Sequence, residues 1–595
     1  MPITHPNLHL TKLDGAIPAW FGEIKPDDLL PICQNVSDGG GRLVALWGSD
    51  ARFPDGTTSH STRLSKNDNQ VAGYLPNPTH EPQAGNGFCR VHSMHHGAWN
   101  APYGEFQVDG FALHVALVTE AGLICLNLPL SAEQPGYSDI SRVFPAANRM
   151  QRATYDLLGI YAHEGHDHRK WVRHGAWHGF PLRKDFESGH PHPHRTHPHP
   201  NLPPEGEGTV APSPMEKGII IPEPDAYPFV QVEGQGVHEI PVGPIHAGII
   251  EPGHFRFSVV GEKVLRLEER LGYTHKGIEK RFESLTLQQG AKLAGRVSGD
   301  STVAYAWAYA MAAESIAAVT PPDRALWLRA LLLERERIAN HLGDLGDLGN
   351  DVALSFGFAQ FWILKEQVLR NNAALFGHRY LMDKIVPGGV AVDMTEQGKQ
   401  TLREECAMLE REVLLLRGIY EEHAGMQDRF IAAGRVEPKL AAQLGLCGLA
   451  GRASAQAWDA RVQFACAPYD RLDVQMATYR NGDVAARVIV RFDELFESLR
   501  LQREILDHLV HGGELVMSLE KLPGNGFGLG MVEGWRGEVL VAIHTDARGN
   551  LMRVHPHDPS WQNWPVVEHA IMGNIVPDFP LINKSFNLSY SGQDL

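Results

Sequence analysis

The 595-residue sequence predicts an α+β fold in two units. Three observations point there: short β-rich runs separated by turn residues over residues 1–186, a proline- and histidine-rich tract over 187–217, and helical apolar spacing through most of 218–595. A chain of this length exceeds what one hydrophobic core normally spans, so a division into two globular units is the starting expectation.

In the first unit, "RLVALW" near Leu43, "FCRVHS" near Cys89, "FALHVALVT" from Phe111 and "GLICLNLPL" from Gly122 read as strands of a small sheet. A helix, "AANRMQRATYDLLGI", is expected to stop at Gly159. The tract "ESGHPHPHRTHPHPNLPPEGEGTVAPSPMEK" carries too much proline for helix or ladder pairing and reads as an extended linker. Its His190, His192, His194, His197 and His199 offer surface metal ligands, although nothing in the tract fixes a coordination geometry and a solvated spacer accounts for them.

Beyond the linker, "DSTVAYAWAYAMAAESIAAV" is an alanine-rich helix that stops before Pro321 and Pro322. Next, "DRALWLRALLLERERIANHL" places Leu328, Leu331, Leu332, Ile338 and Leu342 on one face. A further helix carries Val488, Phe492, Leu495, Leu499, Leu506 and Leu509 at helical spacing and is expected to end at Gly512 and Gly513. Together these predict a buried helical bundle.

Composition narrows the function. A formal charge of -16 repels phosphate backbones, so nucleic acid is not an expected partner. The start "MPITHPNLHL" has neither a basic nor an apolar leader region, and no apolar run approaches the ~18 residues that span a bilayer, so membrane association is expected through partners. The six cysteines, Cys33, Cys89, Cys125, Cys406, Cys447 and Cys466, form no CxxC pair, which predicts a reduced, cytoplasmic chain without a local tetrathiolate site. "GNGFGLG" near Gly524 departs from dinucleotide-loop spacing at Leu529, and "HEGHDH" from His163 is too compact for a zinc helix, so both read as loop.

The block "YDLLGI" from Tyr155 followed by "HGFPLRKDF" resembles the signature of the 30-kDa subunit of respiratory complex I. "GPIHAGIIEPGHFRF" from Gly243, "LGYTHKGIEK" from Leu271, "LERERIANHLGDLG" from Leu333, "GRASAQAWDAR" from Gly451, "GMVEGWRGE" from Gly530 and "NIVPDFPLINKSF" from Asn574 resemble the complex I 49-kDa subunit and the large subunit of group 4 [NiFe] hydrogenases of the formate hydrogenlyase and hydrogenase-4 type. The resemblance implies a 30-kDa-like unit over 1–186 and a hydrogenase-large-subunit-like, mainly helical unit with a β-rich hairpin near its start over 218–595. It also implies an iron–sulfur small subunit holding a [4Fe-4S] cluster, antiporter-like membrane subunits, NAD only through the wider complex, and a peripheral position on the cytoplasmic face of the inner (plasma) membrane.

By the same resemblance, nickel and iron would be held by thiolates in two CxxC motifs. "GRVSGDSTVAY" places Ser298 and Ser301 at the first pair and Tyr305 at the motif's histidine; "NLSYSG" places Ser589 and Gly592 at the second. Hydroxyls are hard donors and glycine has none, so a nickel–iron centre is not expected in this chain. In complex I the equivalent loop supplies a tyrosine and the glycine-rich hairpin a histidine to a quinone; here the loop position is Gly299 and the histidine counterpart is His254.

Two readings of the polar residues stand. Ser298, Asp300, Ser301 and Tyr305 line a cavity in which Asp300, with a pKa raised by burial, relays protons; alternatively Asp300 or Ser301 caps the following helix. His275, Lys276 and Glu279 combine a possible proton carrier with charged neighbours, and Arg452, Asp459 and Arg461 offer ion pairs beneath the same cavity. Structural pairing is the expectation for both groups and direct proton work the alternative, while Arg183 and Lys184 are expected to clamp a subunit interface. At the level of function, electron transfer to a quinone or another small molecule stands beside a non-catalytic coupling scaffold.

Overall fold

The computed structural model describes residues 3, 5–52, 110–174, 179–186, 227–246, 250–509 and 512–595. The strand expected at "FCRVHS" and the proline- and histidine-rich tract at 187–217 lie outside the described residues.

The first unit is built on one sheet: β1 (Thr11–Lys12), β2 (Ala19–Glu23), β3 (Arg42–Asp50), β4 (Gly110–Thr119) and β5 (Gly122–Ser131), in the order β1-β2-β5-β4-β3. Within this sheet the β2–β5 pair is parallel and the other pairs are antiparallel. The strands β3, β4 and β5 are buried along almost their whole length, as continuous apolar runs require. Helix α1 (Leu29–Asp38) follows β2, and α2 (Ala147–Leu158) packs on β3. As expected, α2 ends at Gly159, whose φ of +73° lets its N–H turn back to the Tyr155 carbonyl.

The second unit opens with an antiparallel sheet of β6 (Val237–Val242), β7 (His254–Val260) and β8 (Lys263–Arg270), the expected hairpin region. Helix α3 (Leu287–Ala294) begins with a capping box, in which Thr286 and Gln289 satisfy each other's backbone amides. Helix α4 (Thr302–Ala317) is apolar on all sides and buried from Thr302 to Glu314. Helix α5 (Asp323–Asp351) packs on it; α6 (Ser355–Phe376) and α8 (Val484–His508) pack on α5, and α7 (Glu396–Glu422) packs on α6 and α8. The predicted apolar faces of α5 and α8 are buried. Helix α8 stops at His508, with Leu509 as its C-cap, before the glycines expected to end it.

One element departs from the expectation of a mainly helical second unit. Strands β9 (Phe527–Glu533), β10 (Glu538–Thr545) and β11 (Leu551–His557) form an antiparallel sheet against α4. Gly528 and Gly530 face that helix: a Cβ on Gly528 would lie 2.1 Å from the Ala312 carbonyl oxygen, and one on Gly530 would lie 2.0 Å from that of Ala308. The spaced glycines of "GNGFGLG" therefore serve a close helix–strand approach.

The first unit's sheet docks onto this C-terminal sheet. The Arg553 Nε donates to the Gly48 carbonyl at 3.0 Å, Arg42 pairs with Glu538, and Trp47 stacks on His555 with ring centroids 4.8 Å apart. The chain closes with α9 (Ser560–Ala570), α10 (Phe579–Phe586) and α11 (Tyr590–Asp594).

Candidate functional site

Two distant turns meet at the centre of the second unit. Ser298 closes the loop after α3, and residues Gly299–Ser301 make a tight turn into α4. Ser589 is the N-cap of α11, its Oγ accepting from the Gly592 amide at 2.9 Å. The two serine Oγ atoms are 3.0 Å apart, and Ser298 also donates to Asp300 Oδ1 at 2.8 Å.

Arg536 completes the cluster from the β9–β10 hairpin. Its guanidinium grips both carboxylate oxygens of Asp300, Nη1 to Oδ1 at 2.8 Å and Nη2 to Oδ2 at 2.6 Å, and its Nε donates to the Asn587 carbonyl at 2.5 Å. Such a bidentate pair fixes both groups in orientation as well as charge. Arg536 also lies over the Trp535 ring at 3.9 Å, while the Trp535 indole and the Asn340 amide donate to the Asp300 carbonyl. The cluster opens into a cavity of about 460 Å³ whose wall includes Glu251, Tyr380, Met382, Lys584 and Leu588.

The expected electrostatics of Asp300 are reversed. Burial works against its charge, but Arg536 outweighs burial and brings the carboxyl down to about 2, so Asp300 is ionised at neutral pH rather than poised to carry a proton. Neither Asp300 nor Ser301 caps α4 with its side chain. The Val303 and Ala304 amides are instead accepted by the Glu336 carboxylate, at 2.6 and 3.2 Å. Burial raises Glu336 to about 8 in spite of those two hydrogen bonds. The carboxyl that burial raises here is therefore Glu336 and not Asp300.

Tyr305 donates to Asp558 Oδ2 at 2.6 Å, and Asp558 Oδ1 accepts from the Ser560 amide at 2.8 Å. Burial, and then Asp558, push the Tyr305 phenol well above its ordinary range. A nickel–iron centre, which the resemblance implies for this place, would need four thiolates. The residues present are three serines and a glycine, and a Cβ on Gly592 would lie 2.4 Å from Asp558 Oδ2 and 2.9 Å from Ser589 Oγ. Asp558, to which Tyr305 donates, occupies the space a side chain at residue 592 would need, so the donor set does not fit that centre.

His254 is not part of this cluster. It starts β7, its Nδ1 lies 3.3 Å from the Gly243 carbonyl oxygen, and it lines a different cavity with Arg169, Arg270 and Tyr273. The residue before it, Gly253, touches the Tyr590 ring of the serine cluster. Among the other predicted residues, His275 Nδ1 meets the Asp594 carbonyl oxygen at 2.7 Å and Lys276 Nζ donates to the Val297 carbonyl at 2.9 Å, tying this segment to both halves of the cluster. Glu279 pairs with Arg553 and His555; against the effect of burial, those partners bring it down to about 2.

Arg452 pairs with Glu494 and Glu533, and Arg461 with Asp459 and Glu334, in a fully buried network. Arg337 links that network to the β9–β10 hairpin, donating to the Gly534 carbonyl at 2.8 Å and to Glu494 at 2.5 Å. Arg183 and Lys184, expected to clamp a subunit interface, both make contacts within the chain. Arg183 Nε donates to the Leu158 carbonyl at 2.6 Å and its guanidinium stacks on Phe111 and Phe180, and Lys184 Nζ donates to the Arg52 carbonyl at 2.5 Å.

Sequence reasoning missed Arg536, Glu336 and Asp558. The signal for Arg536 was present in "GWRG", an arginine held between two glycines in a tight hairpin.

A turn before α4 and a turn before α11 thus converge on one cavity, in a helical core joined to a small α+β unit. Residues 81–192 match the family model described as respiratory-chain NADH dehydrogenase, 30 Kd subunit, and residues 351–524 match that of the 49 Kd subunit. Formate hydrogenlyase subunit 5 of Escherichia coli is 28% identical over 498 residues, covering 82% of this chain and 83% of that protein. The carbon monoxide-induced hydrogenase of Rhodospirillum rubrum is 30% identical over 353 residues, covering 59% of this chain and 97% of that protein. A chain from the structure of the membrane-bound sulfane sulfur reductase, an archaeal respiratory membrane complex, shares the fold with a TM-score of 0.58 at 24% identity, covering 60% of this chain and 99% of that one. The chain belongs to the family of fused 30-kDa and 49-kDa complex I subunits and related membrane-bound hydrogenase large subunits.

Proposed function

We propose that this chain is the large peripheral-arm subunit of a membrane-bound respiratory complex, passing electrons from a partner's iron–sulfur cluster to an organic acceptor such as a quinone, with no nickel–iron centre of its own. The observation that carries this reading is the Ser298–Asp300–Arg536–Ser589 cluster at the wall of the 460 Å³ cavity. A guanidinium, an ammonium from Lys584 and several hydroxyls offer hydrogen-bond donors to a carbonyl oxygen, while Ile250, Met382 and Leu588 offer apolar contact to a ring. Reduction of a quinone takes two electrons, delivered one at a time from the cluster, and two protons from groups around the cavity.

An iron–sulfur small subunit and antiporter-like membrane subunits are the partners this reading requires, with the arm on the cytoplasmic face. Among the described residues no helix is long and apolar enough to cross a membrane, so attachment through partners agrees with it. One observation favours a second reading, a non-catalytic coupling subunit: Asp300 and Arg536 satisfy each other's charge.

The purified complex separates the two. Electron transfer from its physiological donor to a short-chain quinone analogue is measured with wild type and with Arg536→Gln, alongside subunit composition. A fall of about tenfold or more with intact assembly supports transfer at this cavity, at the scale lost when a charged hydrogen bond to a reacting group is removed. Unchanged transfer supports the coupling reading.

A further inference from the structure

A second cavity, of about 560 Å³, lies where the two units of the chain meet. The loop 168–174 supplies His168, Arg169, Lys170, Arg173 and His174; the second unit supplies Tyr227, Phe229, Arg270 and Tyr273. Among the described residues that line it, four side chains are cationic and none is a carboxylate, in a protein whose formal charge is -16.

The loop's shape is fixed from behind. Asp156 Oδ2 accepts from the backbone amides of Trp171, Val172 and Arg173, at 2.6, 2.9 and 3.2 Å. Arg270 holds the same loop from the other side, donating to the carbonyls of Lys170, Trp171 and Arg173. Arg270 is only 4% exposed; its hydrogen bonds end on carbonyls, its guanidinium lies against the Tyr227 ring at 4.6 Å, and Asp156 behind the loop acts on its charge without a direct ion pair. Arg169, by contrast, is neutralised by Asp167 and Glu268. Arg173 Nε is buried and has no hydrogen-bond partner among the described residues. A buried donor with no acceptor is costly, and an anion in this cation-lined cavity relieves it.

We infer that this cavity binds a phosphate-bearing small molecule with a planar ring, of the nucleotide class: the anion meets Arg173 and Arg270, and the ring lies against Tyr273 and Phe229. The volume falls within the range of small-molecule sites, which concentrate at junctions between units. Tyr273, 39% exposed, presents its ring at the cavity mouth. This site is separate from the serine cluster, and the inference rests on no part of the electron-transfer reading.

Calorimetric titration of the purified complex with ADP, inorganic phosphate and adenosine tests it. Saturable ADP binding is expected, with phosphate and adenosine each at least about tenfold weaker. Arg173→Gln is expected to weaken ADP about tenfold or more, as loss of a charged hydrogen bond does, and Tyr273→Ala to weaken it severalfold, both with unchanged melting temperatures. No saturable heat with any of the three probes overturns the inference. Phosphate binding as tightly as ADP, or ADP binding untouched by both substitutions, overturns it as well.

Discussion

Ser298 and Ser589, 291 positions apart in the chain, meet with their Oγ atoms 3.0 Å from each other. Two turns that the resemblance places at thiolate motifs converge as it implies, but a hydroxyl pair and a guanidinium–carboxylate clamp fill the convergence point. The scaffold for a metal centre is separable from the donors that would hold one, and here the donors are oxygen and nitrogen.

Restoring sulfur alone is therefore predicted to fail. The double variant Ser298→Cys/Ser589→Cys retains Gly592, whose side-chain space Asp558 fills, so nickel added during expression is expected to remain far below one per chain. Metal analysis after gel filtration checks this.

Arg536→Gln leaves Asp300 without its counter-ion. Removing one partner of a fully buried pair costs about 3–5 kcal/mol; because the Asp300 side chain is 36% exposed and water screens it, a cost of roughly 2 kcal/mol is expected, read as a drop in melting temperature. Asp300→Asn/Arg536→Gln together should cost less than the two single changes summed.

The same pair sets a pH dependence. Asp300 is depressed to about 2 in the folded protein, below the ~3.9 of an unfolded aspartate, so its contribution is present above pH ~4 and disappears as pH falls toward 2. Glu336 runs the other way. Its folded value of about 8 lies above the ~4.3 of an unfolded glutamate, so the native state binds the extra proton and stability declines as pH rises between those values. Glu336→Gln is expected to flatten the melting-temperature profile from pH 4.5 to 8; an unchanged slope contradicts the assignment.

Gly528→Ala is expected to destabilise strongly, because its Cβ would meet backbone, the Ala312 carbonyl oxygen, which cannot rotate away. Overpacking costs about 1–3 kcal/mol, and this position is expected at the upper end. A melting temperature within a degree of wild type would contradict the close helix–strand packing.

The bundle was legible because α5 and α8 carry a one-sided apolar period, and α2 because Gly159 marks its end. The β9–β11 sheet was not: it is buried on both faces, so "FGLGMVE" and "LMRVHPH" show no alternation, and glycine and histidine dilute the strand signal. The run Glu334–Arg335–Glu336–Arg337 looks like a solvated face but is buried, since Arg335 finds Glu405, Arg337 finds Glu494 and Glu334 finds Arg461, all far along the chain. Within the site, the serines were visible as residue types, whereas the sign of the Asp300 shift depended on Arg536, 236 positions away. No local pattern carries such a pairing.

The most direct measurement is the nickel content of the native complex, purified without added metal and normalised to this chain. The account predicts no nickel above background, together with electron transfer to a quinone analogue that falls in Arg536→Gln. About one nickel per chain would contradict it.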